Sequence, residues 1–395
     1  MTTPDGRQPR PGSQAASPIE PTRSVPENVR LRLIAASAGR CEFRGCNKDL
    51  YVHSVTNTPG NFGETAHIVA FRPYGPRGGA IHPVEINVFE NLMLLCAECH
   101  HLIDTNSWDY SVEELREHKR DHENRIFALT GLGPEYRTTV IQLRGTIGGQ
   151  PVDIPASDIR DALLPRYPAR LPGVLIDLTA IQREDRAFFE IARDQIRREL
   201  RPALRAELES KRVQHYSVFA LAPIPVLACL GRELGDKVTA DLYQRHRGQQ
   251  SWKWKEEGTP VEYEFLLRCS GTDRHAVGLI LSLSGKVTDG SLPPEMMGRF
   301  WLYEITLKGQ DPGREFLCLR DDLVRFRRMY QEVLATIIKD HDGLKELHLF
   351  PAVPAPIAIA CGQELLPKVH PNLVIYDQIK GAFRHAITIN TRQDL

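Results

Sequence analysis

Two short-spaced cysteine pairs, Cys41-x4-Cys46 and Cys96-x2-Cys99, stand about fifty residues apart and constrain this chain more than any other feature. Four thiols in two such pairs fit a closed tetrahedral zinc site with four thiolate ligands. Inert core cysteines would not pair, and would not explain the histidines set among them. Those histidines are His67, in Glu64-Thr-Ala-His67-Ile, and His100 and His101, which directly follow the second pair in Asn91-Leu-Met-Leu-Leu-Cys96-Ala-Glu-Cys99-His100-His101-Leu-Ile-Asp104.

The chain has 395 residues, enough for two or three domains with ample core. Its 50 Lys and Arg balance 50 Asp and Glu, so no global charge announces a nucleic-acid partner. Cys229, Cys269, Cys318 and Cys361 are scattered among apolar residues, which reads as reduced core thiols in a cytoplasmic protein. No apolar run is long enough to span a bilayer, and the N-terminus has no signal-peptide core. Residues 1–28, rich in Pro, Ser, Thr, Gln and Arg, read as a disordered tail.

Residues 29–130 hold the cysteines and histidines. A short helix from Val29 ends at Gly39, Thr65–Phe71 reads as a strand, Arg72–Ala80 as a Pro/Gly loop, and Leu115–Leu129 as a helix leaving the domain. Ala-His67-Ile, Asn91-Leu-x-x-Leu-Cys96-x-x-Cys99-His100 and Leu-Ile-Asp104 together resemble the HNH, or ββα-metal, endonucleases. The resemblance implies His67 as the base that deprotonates water, Asn91 as the residue fixing the backbone that aims it, and His100 as a ligand of one divalent metal, Mg²⁺ or another, on the scissile phosphate. It also implies that zinc on Cys41, Cys46, Cys96 and Cys99 staples a fold too small to stand alone. Many members carry Asp directly before the base, where this chain has Ala66; Glu64 or Asp104 is then the candidate carboxylate, and His101 a substitute or assistant for His100. The region carries 11 Lys and Arg against 13 Asp and Glu. Phosphate contacts supply most non-specific DNA affinity, so the domain alone should bind DNA weakly, and assembly of several copies is expected.

Residues 131–168 read as a connector: alternating β-branched residues in 136–146, then a hairpin turning at Gly148-Gly149. Residues 169–395 repeat themselves. Phe219-Ala-Leu-Ala-Pro223-Ile-Pro225, with its following helix, returns 131 residues later as Phe350-Pro-Ala-Val-Pro354-Ala-Pro356, and Lys237 matches Lys368. A duplicated strand–loop–helix unit implies two Rossmann-like lobes, about 169–270 and 271–395. The free N–H groups at such helix starts attract phosphate, and polar strand ends at Thr179, Ser282, Ser284 and Lys286 would share the rim. Tyr243, Arg245, Arg247, Trp252 and Trp254 mix cations with aromatics, as stacking on bases requires; Tyr376 is a further candidate.

These phrases, with Tyr-Gln-x-His-Arg and Trp-x-Trp, resemble a SAVED domain, a fusion of two CARF-like sensors of cyclic nucleotides. HNH followed by SAVED is similar to the effector nucleases of bacterial CBASS anti-phage systems. The fold class expected is therefore α+β: a zinc-stapled nuclease domain, then a pseudo-symmetric pair of α/β lobes. The resemblance implies a cyclic di- or trinucleotide as activator, a homo-oligomer (dimer or tetramer) on activation, and double-stranded DNA as the substrate hydrolysed. The alternative is a non-catalytic, zinc-stapled DNA-binding protein regulated by a nucleotide second messenger.

Overall fold

The computed structural model describes residues 24–78, 86–181, 187–210, 215–236, 238–246, 248 and 250–391. The chain divides into two compact units, Met1–Leu132 and Gly133–Leu395. Most of the tail expected over 1–28 lies outside the described residues, but Val25 packs on the first core and Glu27 already opens a helix.

In the first unit α1 (Glu27–Ser37) starts behind Pro26, whose missing N–H costs nothing there, and ends where Ala38 turns left-handed. β1 (Gly63–His67) pairs antiparallel with β2 (Leu92–Cys96), with Glu64 opposite Leu95 and His67 opposite Leu92. The strand is shorter than expected: Ile68 still donates to the Asn91 carbonyl, but from Val69 on the backbone bonds to the Asn91 side chain instead of a ladder. All five residues of β2 are buried. α2 (Ala97–Thr105) follows without a break, so the second cysteine pair sits at a strand-to-helix junction. α3 (Val112–Thr130) starts at Ser111, whose hydroxyl accepts from the Glu114 amide at 3.1 Å. It stays within the unit, contrary to expectation: Leu115, His118, Lys119 and His122 are buried, and His122 Nε2 donates to the Ser37 carbonyl at 3.0 Å. The core is small, chiefly Leu33, Leu50, Ile68, Leu92, Met93, Leu95, Ile103 and Leu115.

Among the described residues the second unit holds two large sheets and a small two-stranded one. β3 (Arg137–Arg144) lies inside the first, parallel to its neighbours, and is buried along its middle. β4 (Thr146–Ile147) and β5 (Gln150–Pro151) form the small hairpin, with Gly148 and Gly149 both at positive φ, as its two-residue turn requires. After α4 (Ala156–Leu163) come β6 (Tyr167–Pro168) and β7 (Val174–Asp177), which pair in turn with one edge of β3. α5 (Phe188–Ser210) leads to β8 (His215–Leu221) on the other edge of β3, then α6 (Ile224–Leu234) and β9 (Thr239–Leu242). The stretch expected as a spacer is thus corrected: 137–144 is a central strand of the first lobe, because its apolar residues face cover on both sides.

The second sheet runs β10 (Tyr263–Cys269), β12 (Trp301–Leu307), β11 (Val277–Ser282), β13 (Glu346–Ala352), β14 (Asn372–Ile379), β15 (Ala382–Ile389). Its four central strands are parallel, its edges antiparallel. β10 therefore belongs to the second lobe, earlier than the boundary read at 270. α7 (Arg320–Asp340) precedes β13, and α8 (Ala355–Gln363) follows it.

The repeat is physical. α6 and α8 cross backbone to backbone at Gly231 and Gly362, where a Cβ on either would lie 1.8 Å from the Ile359 carbonyl oxygen or 1.9 Å from that of Ala228. Both pairs are spaced by the same 131 residues as the sequence repeat. Glu233 of α6 takes Arg197 and Arg201 from α5, and Glu364 of α8 takes Arg327 from α7. Glu233 and Glu364 are again one repeat apart.

Candidate active site and ligand cleft

In the first unit, the sulfurs of Cys41, Cys46, Cys96 and Cys99 all lie within 4.8 Å of one another. Four sulfurs about 2.3 Å from a tetrahedral zinc stand roughly 3.8 Å apart, and Cys46 Sγ and Cys96 Sγ are 4.0 Å apart. The Cys96 amide donates to Cys41 Sγ and the Cys99 amide to Cys96 Sγ, both at 3.4 Å, as thiolates favour. Burial pushes the Cys41 thiol up to about 12 and raises that of Cys99, while at Cys96 burial is outweighed by hydrogen bonds from Cys99, Cys41 and Cys46, which lower it, so a cation is needed to hold all four as thiolates. The donor set fits zinc.

Beside it, β1 and α2 bring Glu64, His100 and Asp104 together. His100 Nδ1 donates to Glu64 Oε2 at 2.6 Å, and its Nε2 faces Asp104 Oδ2 at 3.4 Å. The Asp104 hydrogen bond raises the His100 pKa against the effect of burial, and Glu64 adds to it. Burial raises the Asp104 carboxyl, but the bonds from His100 and Arg77 outweigh it and bring the group below its usual range. Strand alternation puts Glu64 on the same face as Ala66, the place where the resembled family often has Asp. The two carboxylates sit at opposite nitrogens of one ring, so a divalent ion would take His100 with either Glu64 or Asp104. His101 is exposed, with Nε2 near Thr105 Oγ1 at 3.4 Å, and is not brought into this group.

His67 ends β1 half-buried, Nε2 bonded to Asn87 Oδ1 at 2.8 Å and its ring edge against Phe71. Asn91 is buried and makes three bonds: its Oδ1 accepts from the Val69 amide, and its Nδ2 donates to the carbonyls of Val69 and Ile86. It thereby pins the backbone two residues past His67. Sequence reasoning missed two residues. Asn87 showed only as a polar residue four places before Asn91. Arg77 sits in the stretch read as a Pro/Gly loop, yet its side chain, 3% exposed, donates to the Ile68 carbonyl at 2.8 Å and to Asp104 Oδ1 at 2.9 Å. It ties the base strand to the helix carrying His100.

In the second unit a cleft of about 620 Å³ opens where the two lobes meet. Its floor is the start of α6 (Pro223, Ile224, Leu227) and of α8 (Pro354, Ala355), outside the carboxyl ends of β8 and β13. Of the residues expected there, Pro223, Pro354, Arg245 and Ser284 line it. Gln244, Arg314 and Asp377 also line it and were not foreseen; a charge closing the apolar run Val374-Ile-Tyr-Asp377 was the available signal for the last.

Several expectations are corrected. Pro225 and Pro356 are buried inside the first helical turns. Tyr243, Trp252 and Trp254 belong to the core rather than to a stacking platform: Tyr243 stacks on Phe219 at 4.3 Å, and Trp252 is 1% exposed. Tyr376 packs on Phe350 across the second sheet, its hydroxyl bonded to His348. Buried Ser282 caps its own loop by accepting from the Val287 amide, and Thr179 bonds to Asp177. Lys286 and Lys368 are exposed and do not line the cleft. Lys237 and Arg247 lie outside the described residues.

Comparison with known proteins agrees with this division. Residues 41–108 match the HNH endonuclease family model, and residues 196–389 match the SMODS-associated and fused to various effectors sensor domain, SAVED. No match is found among curated proteins. Similar solved structures include an Acinetobacter baumannii Cap4 SAVED/CARF-domain containing receptor with the cyclic trinucleotide 3'3'3'-cAAA, at 12% identity and a TM-score of 0.41, covering 71% of this chain and 56% of the receptor. The same receptor with 2'3'3'-cAAA is 13% identical, with a TM-score of 0.40 and 74% and 60% coverage. A Moraxella osloensis Cap4 receptor is 10% identical, with a TM-score of 0.37 and 71% and 61% coverage. The chain thus spans less than two thirds of these receptors' length, and the likeness is distant. The two family matches carry the assignment: this chain holds an HNH endonuclease domain followed by a SAVED sensor domain, and it fits the HNH–SAVED effectors.

Proposed function

We propose that this protein is a cyclic-oligonucleotide-activated, metal-dependent endonuclease that degrades double-stranded DNA in anti-phage defence. The observation that carries the reading is the cleft between the duplicated helix starts, a phosphate-seeking geometry present twice, in a chain whose other unit presents His67 and a carboxylate-flanked His100. Zinc on the four cysteines is structural. A divalent ion on His100 and a carboxylate would neutralise charge developing on the phosphate. His67 takes the proton of the attacking water, Asn91 holds the backbone behind it, and Arg77 holds the two walls of the site at a fixed separation. A cyclic di- or trinucleotide in the cleft drives homo-oligomer formation, which offsets the weak DNA affinity of a domain with a slight acidic excess. We place the protein in the cytoplasm, where its thiols stay reduced; among the described residues no helix is long and apolar enough to cross a membrane.

The test incubates plasmid with the full chain, Mg²⁺ and a panel of cyclic di- and trinucleotides, including both cAAA isomers. One ligand should trigger degradation, and His67→Ala should cut it by about 10²- to 10⁴-fold while ligand binding survives. Cutting by ligand-free protein at low concentration would end the gating claim. Ala66, together with Arg77 holding Asp104, favours the second reading, a non-catalytic DNA-binding regulator. DNA binding with no divalent-dependent nicking under any ligand would establish it.

A further inference from the structure

We propose that Asn87 is a positioning residue for His67: it fixes the imidazole in the tautomer with its proton on Nε2, leaving the Nδ1 lone pair to accept a proton. The consequence for catalysis rests on the reading of His67 as the base; the tautomer does not.

An amide oxygen has no hydrogen to give. With Asn87 Oδ1 2.8 Å from His67 Nε2, the nitrogen must therefore be the donor. The orientation of the amide is set from its other end, where Asn87 Nδ2 points to the Ser24 carbonyl at 3.4 Å. A carbonyl only accepts, so the amide cannot be turned over without placing two acceptors face to face. Once Nε2 carries the proton of a neutral imidazole, Nδ1 is the basic nitrogen. Nδ1 has no partner among the described residues.

Asn91 makes this pairing durable. Its Nδ2 donates to the Val69 carbonyl and to the Ile86 carbonyl, at 3.1 and 3.0 Å. Val69 is two residues past His67, and Ile86 directly precedes Asn87. One buried amide thus binds the backbone of the imidazole to the backbone of its partner. On this view Asn91 acts on His67 along two routes, through its main chain and through Asn87. Phe71 closes the ring from the side, at 6.0 Å between centroids.

The test needs no activator. Full-chain, zinc-loaded protein labelled with ¹⁵N-histidine is studied by long-range ¹H–¹⁵N correlation at mildly alkaline pH, with His67→Ala identifying the signals. The expected pattern is a protonated Nε2 and an unprotonated Nδ1. Asn87→Ala should move both nitrogens toward the average of two exchanging tautomers. Asn87→Asp, which keeps an acceptor oxygen, should restore the wild-type pattern. Bound zinc, measured in each variant, separates tautomer loss from misfolding. In a cleavage assay Asn87→Ala should lower kcat about tenfold, the worth of one good hydrogen bond, with KM for DNA unchanged. A wild-type proton on Nδ1, or a His67 pattern indifferent to Asn87→Ala, overturns the proposal. The expected tautomers in a protein that cuts no DNA under any ligand would instead sink the nuclease reading and leave the positioning role standing.

Discussion

Stripping zinc from this protein should unfold its first unit and leave the second intact. Among the described residues the first unit has one two-stranded sheet and about a dozen buried core side chains, too few to offset the entropy of ordering some hundred residues. Four thiolates supply the balance. Structural zinc in comparable small domains contributes roughly 10–16 kcal/mol at neutral pH, as much as the whole stability of a typical domain. Here the ion would join two knuckles whose nearest cysteines are fifty residues apart in sequence, Cys46 and Cys96. The second unit keeps its two large sheets and has no part in the cysteine cluster. Limited proteolysis with mass readout, before and after a strong chelator, checks this: cleavage should spread through the region before Leu132, while a fragment beginning near Gly133 resists. Cys96→Ser should reproduce the pattern without chelator. Equal loss of both units, or an unchanged digest in zinc-free protein, would contradict it. Affinity for zinc should also fall on acidification. Burial raises the Cys41 and Cys99 thiols, so protons compete for these sulfurs well above the range of an exposed cysteine.

The parts of this architecture that the sequence displayed share a cause: they are local. Cys41, Cys46, Cys96 and Cys99 advertise themselves by spacing, and strand–turn–helix phrases at Phe219 and Phe350 by repetition. What was misread depended on cover from elsewhere. The run 137–144 looks the same as a hairpin arm or as a buried parallel strand; only its pairing with β7 and β8 tells which. Trp252 and Trp254, interleaved with Lys253 and Lys255, have the composition of a base-stacking surface. Their rings turn inward while the lysines stay exposed, as amphipathic alternation equally allows. Asn87 and Arg77 were invisible because their partners are fixed only when β1, β2 and α2 meet. For the missing carboxylate the sequence offered Glu64 or Asp104, with Glu64 reading more as a surface group; in the structure Arg77 engages one oxygen of Asp104, whereas Glu64 accepts from His100.

The crossing of α6 and α8 gives the second large effect. Alanine is a better helix former than glycine by about 1 kcal/mol, so on propensity alone Gly231→Ala and Gly362→Ala should each stabilise the protein. The crossing reverses the sign. A methyl at either position would overlap a carbonyl oxygen at under 2 Å, and backbone nitrogens of Gln363 or Arg232 at 2.9 Å leave it no side exit. Helix backbone cannot rotate away as a side chain does, so the helices must separate. Overpacking costs typically 1–3 kcal/mol and occasionally more, and a contact with main chain on two sides belongs at the upper end; the net expectation is a loss of about 2 kcal/mol or more for each substitution. Because both act on one crossing, the double variant should lose less than the two singles together. Function should suffer beyond stability, since the starts of these helices form the floor of the cleft: Pro223 and Ile224 from one lobe, Pro354 and Ala355 from the other. Moving the helices apart changes the distance between their two starts, and on the proposed function a cyclic nucleotide engaging both should bind more weakly even at temperatures where the variant is fully folded. Urea titration and ligand titration of the same samples separate the two effects. A raised midpoint in urea for either glycine variant would mean that the two backbones do not touch there, and with it would go the duplicated, closely crossed pair on which the cleft is built.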